Sequence, residues 1–125
     1  MSYITEIKLK INLGKDTPPK LIKWIDKCID STQETQYEGH PFFETESWQK
    51  IFATYGYNGY SKPTLTKLKN RYTLELHTDI NYESEELNTF IDWIKPHILG
   101  RKKKVYLGWL ERDSQFEKTN VYANR

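Results

Sequence analysis

The sequence predicts an α+β domain, and three patterns predict it. Residues 3–13 alternate between apolar and polar side chains, residues 18–30 and 83–95 repeat apolar side chains at helical spacing, and short alternating stretches follow turn formers in the second half. At 125 residues the chain has the usual size of a single domain, spanning 1–125, with no room for two independent cores.

The elements follow in order. In the first strand Tyr3, Thr5, Ile7, Leu9, Ile11 and Leu13 point one way, while Glu6, Lys8, Lys10 and Asn12 point the other, the period-two mark of a half-buried strand. Asp16 or Thr17 can cap the helix at 18–30, with Pro18 and Pro19 in its first turn. Its apolar face is Leu21, Trp24, Ile25, Cys28 and Ile29. Residues 31–43 carry turn formers without a period and read as a loop, with Phe42 and Phe43 anchoring its end. Residues 46–54 fit either a short helix, with Trp48, Ile51 and Phe52 on one face, or a strand. Tyr55 to Tyr60 read as a turn around Asn58-Gly59.

Strands are expected at 64–69 and 71–79 around a turn at Lys69-Asn70, with Tyr72, Leu74 and Leu76 facing inward. The helix at 83–95 buries Leu87, Phe90, Ile91 and Ile94 and extends toward Ile98. Glu83, Glu85 and Glu86 complement the positive end of its dipole, and Pro96 and Gly100 end it. A strand at 104–111 places Val105, Leu107 and Trp109 on one side and Tyr106 on the other. A final short strand fits 117–123. This order resembles the split βαβ pattern of ferredoxin-like domains: an antiparallel sheet with two helices on one face, and here an insertion after the first helix at about 31–60. Such folds host many functions and transfer none.

Composition excludes several classes. Aromatic residues, including Trp24, Trp48, Trp93 and Trp109, are too frequent for a disordered chain. Cys28 is the only cysteine, so no internal disulfide forms and a reducing compartment is expected. Residues 1–12 carry Glu6, Lys8 and Lys10 and do not read as a signal peptide. No apolar run approaches the roughly 20 residues of a membrane span. Cytoplasm is the expected location, with no membrane partner. The formal charge of +2 implies no nucleic-acid partner by itself.

The segments HPFFETESWQKIFAT (40–54), FIDWIKPHI (90–98) and KKVYLGWLERD (103–113) resemble small uncharacterised proteins of bacterial phages and mobile elements. That resemblance implies a small accessory protein acting on a macromolecule. It assigns no functional residue.

Candidate surfaces come from charge distribution. Tyr57 and Tyr60 precede Lys62 and Lys67, and Arg101, Lys102, Lys103 and Lys104 form a second basic run. Aromatic faces stack nucleobases while lysines and arginines neutralise phosphates. The same residues suit a tyrosine-rich hairpin with lysines guarding a strand edge. Glu34, Glu38, Glu44 and Glu46 form an acidic surface, which reads as a mimic of nucleic acid or as a solubilising loop. His40 with its neighbouring carboxylates offers a metal or hydrolytic centre, but no zinc-ligand pairing, phosphate-binding glycine pattern or nucleophile elbow accompanies it. No catalytic residue, metal or cofactor is assigned. The expected function is a non-enzymatic binding module of a phage or mobile element, acting on a macromolecular partner and on a protein before a nucleic acid. The first alternative is a nucleic-acid binder using the basic and tyrosine-rich segments. A small hydrolase-like enzyme around His40 is the distant one.

Overall fold

The computed structural model describes residues 4–30, 39–45, 48–52, 63–81, 86–100, 102–112 and 118–124. Its elements are β1 (Ile4–Gly14), α1 (Pro19–Asp30), two 3₁₀ turns (Pro41–Glu44 and Trp48–Phe52), β2 (Thr64–Lys67), β3 (Arg71–Asn81), α2 (Glu86–Ile94) with a 3₁₀ turn at Lys95–His97, β4 (Lys104–Arg112) and β5 (Lys118–Asn124). The protein is α+β, a five-stranded antiparallel sheet with two helices, in the strand order β2-β3-β1-β4-β5.

Alternation in β1 becomes two faces. Ile7, Leu9, Ile11 and Leu13 are buried, and their partners in β3 continue that inner face: Leu76 lies opposite Leu9 and Leu74 opposite Ile11. Lys8 and Lys10 are exposed on the outer face, beside His77 and Glu75. Each fully buried aliphatic side chain stabilises by roughly 1.5–3 kcal/mol, which ties the register to the pattern. Leu21, Trp24, Ile25 and Cys28 of α1 and Leu87, Phe90, Trp93 and Ile94 of α2 join the same core. Trp93 takes the inward place expected for Ile91, which is half-buried.

The stretch 46–54 settles as a 3₁₀ turn at Trp48–Phe52 that buries Trp48, Ile51 and Phe52. With Phe42 and Phe43 it forms an aromatic cluster around Trp24, Phe90 and Trp93, several rings meeting edge to face. The described part of the insertion therefore packs on the side of the helices, and the outer face of the sheet is free of it. Thr17 does not cap α1. Its hydroxyl donates to the Gly14 carbonyl at 2.6 Å and closes the turn out of β1, while the Pro18 carbonyl receives the Leu21 and Ile22 amides.

Two expectations change. The sheet has five strands and an order that is not that of the ferredoxin-like pattern, because β5 folds back as a hairpin partner on β4 and makes a new edge. Tyr106 and Trp109 do not fall on opposite faces. The β4–β5 register shifts between Tyr106 and Gly108, an extra residue of the bulge type, so both rings reach the outer face while Val105, Leu107 and Leu110 turn toward the core. Among the described residues no helix is long and apolar enough to cross a membrane.

Candidate binding surface

Strand direction gathers basic residues at one end of the sheet. Gly14 pairs with Arg71, Lys67 with Tyr72, and Ile98 bridges to Leu13, so one end of the sheet gathers the close of β1, the β2–β3 turn and the entry to β4. Lys15, Lys67, Lys69, Arg71, Lys102, Lys103 and Lys104 lie at that end, against Asp16 as the acid there. Glu6, Asp79 and Glu111 occupy the outer face toward the other end. Lys67 and Lys102 to Lys104 are thus brought to one end of the sheet, Lys67 in register with Tyr72 and Leu13 on the helix side. Lys67 closes β2, and Lys102 to Lys104 lead into β4. Tyr57, Tyr60, Lys62 and Arg101 lie outside the described residues, as do Glu34, Glu38 and Glu46 of the acidic set. Glu44 is exposed in the first 3₁₀ turn.

Between the rim and the acidic end is a hollow of about 480 Å³, a size typical of ligand sites. Lys8 and Lys10 (β1), Glu75 and His77 (β3), Thr64 (β2), and Tyr106 and Trp109 (β4) line it. Tyr106 is 54 % exposed, a large value for a ring on a sheet. Its ring centroid is 5.7 Å from that of Tyr122, and Lys104 Nζ lies 4.2 Å from the centre of the Tyr122 ring. Lys118 Nζ lies 4.3 Å from the centre of the Trp109 ring, and the Trp109 and His77 ring centroids are 6.1 Å apart in a T-shaped pair. His77 Nε2 is 2.6 Å from Glu6 Oε2, which fixes the imidazole at the hollow's acidic wall. Among the described residues neither Lys8 nor Lys10 has a carboxylate partner, so both ammonium groups are open to an anion.

Sequence alternation had already turned Lys8 and Lys10 outward, and the inward Leu74 and Leu76 imply the same for Glu75 and His77. Tyr106 beside Trp109, with Tyr122 and Lys118 behind them, was missed. The available signal was Gly108, since a glycine inside a strand marks a bulge or a close backbone approach.

His40 makes two hydrogen bonds. Its Nδ1 accepts the Phe42 amide at 3.0 Å and caps the first 3₁₀ turn, which leaves the proton on Nε2, 3.2 Å from Asp92 Oδ2 on α2. Lys95 Nζ reaches Asp92 Oδ1 at 2.9 Å. The hydrogen bond and charge of Lys95, and then those of His40, hold the Asp92 carboxyl below its usual range. A carboxyl depressed on folding stabilises the fold above its unfolded pKa, and this contribution is lost as pH falls through the folded value. In urea titrations, Asp92→Asn should therefore lower the midpoint at pH 6, and the difference should start to shrink as pH falls below about 4 and vanish only once pH lies below the depressed folded value. A difference that persists in strong acid would show that the aspartate acts through something other than its charge.

No family model, curated protein or solved structure matches this chain.

Proposed function

We propose that the chain is a non-enzymatic binding module that holds single-stranded nucleic acid across the outer face of its sheet. The observation that carries this reading is an outer face that holds Tyr106 and Trp109 beside Lys8 and Lys10, with Arg71 and Lys102 to Lys104 at one end of the sheet. Lysines of the rim would neutralise phosphates, and Tyr106 and Trp109 would stack bases, the combination that sequence-tolerant single-strand binders use. The sequence placed a protein partner first. Nucleic acid is the better-supported partner because Tyr106 and Trp109 share the outer face with Lys8 and Lys10, which have no carboxylate partner among the described residues.

A protein partner retains one specific support. β5 stands at the sheet edge, and an exposed edge can add a strand from another chain. The pairing of β1 and β2 on either side of β3, with α1 between them in sequence, supports reading β5 as an addition to a ferredoxin-like unit. The segment resemblance supports an accessory role in a phage or mobile element, and the buried lone thiol of Cys28 supports a cytoplasmic address.

The test is binding of labelled single-stranded DNA, single-stranded RNA and duplex DNA at two salt concentrations. Single strands should bind with micromolar or tighter affinity that weakens steeply with salt. Joint replacement of Lys102, Lys103 and Lys104 by alanine should lower the slope of log affinity against log salt by about 2, since each phosphate contact on a single strand contributes about 0.7. Trp109→Ala should weaken binding by about 1–3 kcal/mol and leave that slope unchanged, because stacking releases no counterions. Absence of binding at low salt would end the reading and turn attention to the β5 edge.

A further inference from the structure

We infer that the hollow beside Tyr106 and Trp109 is a base-selective subsite and that the base it prefers is guanine. This rests on the single-strand reading above and names the chemistry of one position within it. The hollow combines three kinds of group. Tyr106 and Trp109 supply ring faces, and Lys8 and Lys10, without carboxylate partners among the described residues, supply positive charge from β1. Glu75 supplies a carboxylate from β3, directly opposite Lys10 in the strand register.

Glu75 decides the selectivity. An ionised carboxylate only accepts hydrogen bonds. Thr64 Oγ1 donates to Glu75 Oε2 at 3.4 Å, a long bond that biases the carboxylate toward β2 and leaves its second oxygen and further lone pairs available. Guanine presents two adjacent N–H donors, at N1 and N2, on its Watson–Crick edge, and a carboxylate can receive both together. Cytosine and adenine each offer one exocyclic amine there beside an acceptor. Thymine offers a single N–H between two carbonyl oxygens that a carboxylate repels. Lys8 and Lys10 complete the match, because guanine carries acceptors at O6 and N7 where an ammonium donates. The base thus meets donors and an acceptor on the floor of the face while its ring lies against the aromatics of β4.

The experiment uses the full chain and fluorescein-labelled eight-nucleotide oligodeoxythymidylate, alone or with one central guanine, adenine, cytosine or hypoxanthine. The guanine chain should bind about tenfold tighter than the all-thymine chain. Hypoxanthine lacks the N2 amine and should lose most of that gain. Glu75→Gln, a surface change, should abolish the guanine preference and shift it toward adenine, whose N6 and N7 suit an amide. It should also raise the all-thymine affinity, since a negative charge leaves the face. Equal affinity for every chain, with the all-thymine chain bound, would overturn the guanine subsite and leave the single-strand reading standing. A guanine preference that survives Glu75→Gln would overturn the role of the carboxylate. Failure of every chain to bind would overturn both readings.

Discussion

Gly108→Ala should destabilise the protein by about 3 kcal/mol or more, the upper end of overpacking effects and a large share of a total of about 5–15 kcal/mol. A Cβ at this position would stand 1.9 Å from the Lys8 carbonyl oxygen and 2.9 Å from Leu9 Cα. Real Cβ atoms do not approach backbone that closely, and the atoms in the way belong to β1. That strand is the centre of the sheet, paired on both sides, so it cannot retreat without breaking its register with β3 or β4. The backbone at Gly108 is also at φ +157, which side-chain-bearing residues rarely adopt. The candidate binding face depends on the same glycine, because the bulge there brings Tyr106 and Trp109 to one side. Urea denaturation followed by circular dichroism measures the loss. Gly39→Ala is the control: Gly39 is exposed and nothing lies within 4 Å of its added Cβ, so the change should fall within about 0.5 kcal/mol of zero. A near-neutral Gly108→Ala would mean that β4 does not cross β1 this closely.

Phe42→Ala should cost about 3–5 kcal/mol, the range for deleting a buried aromatic side chain. Phe42 is fully buried, with ring centroids of Phe43 at 5.0 Å, Phe90 at 5.4 Å, Trp93 at 5.5 Å and Trp48 at 6.0 Å. Its removal opens a cavity among rings that are themselves held by backbone from α2 and the two 3₁₀ turns, so the site collapses poorly. Each lost ring pair adds about 0.5–1.5 kcal/mol beyond the area term. Against a total stability of about 5–15 kcal/mol, one substitution in the insertion then removes much of what holds the domain together. Tryptophan emission and urea midpoints give the measurement. A loss under about 1 kcal/mol would show that residues 39–52 pack on the domain without forming its core. Leu68→Ala, at a side chain 39 % exposed, provides the small-effect comparison.

The elements were legible where one periodicity held for many residues. β1 was readable because apolar and polar side chains alternate without a break from Glu6 to Leu13, and α1 because its apolar side chains return every three or four positions. Trp48–Phe52 was ambiguous between helix and strand because five residues span barely more than one helical turn. Its burial comes from rings on α1 and α2 rather than from its own pattern. The face of Tyr106 was misread for a related reason: a strict period of two carries no information about an inserted residue, and the bulge comes from how β4 meets β5. His40 read as a candidate for chemistry because histidine suits it. Its actual bonds, to the Phe42 amide and to Asp92 at a sequence separation of 52, make it a cap and a clasp between the insertion and α2.

By itself the sequence determined the class of the protein, the existence of β1, α1, β3, α2 and β4, and the inward or outward sense of most of their side chains. Burial of apolar groups writes that information locally, one element at a time. The tertiary structure alone decided the strand order, the placement of β5 at the edge, and the gathering of Lys67 and Lys102 to Lys104 at one end of the sheet. Those outcomes depend on which strands pair and in what register, as in the Thr73 hydroxyl bonded to Asn12 across 61 positions of sequence. Pairing energy belongs to two distant segments at once, so neither segment displays it alone.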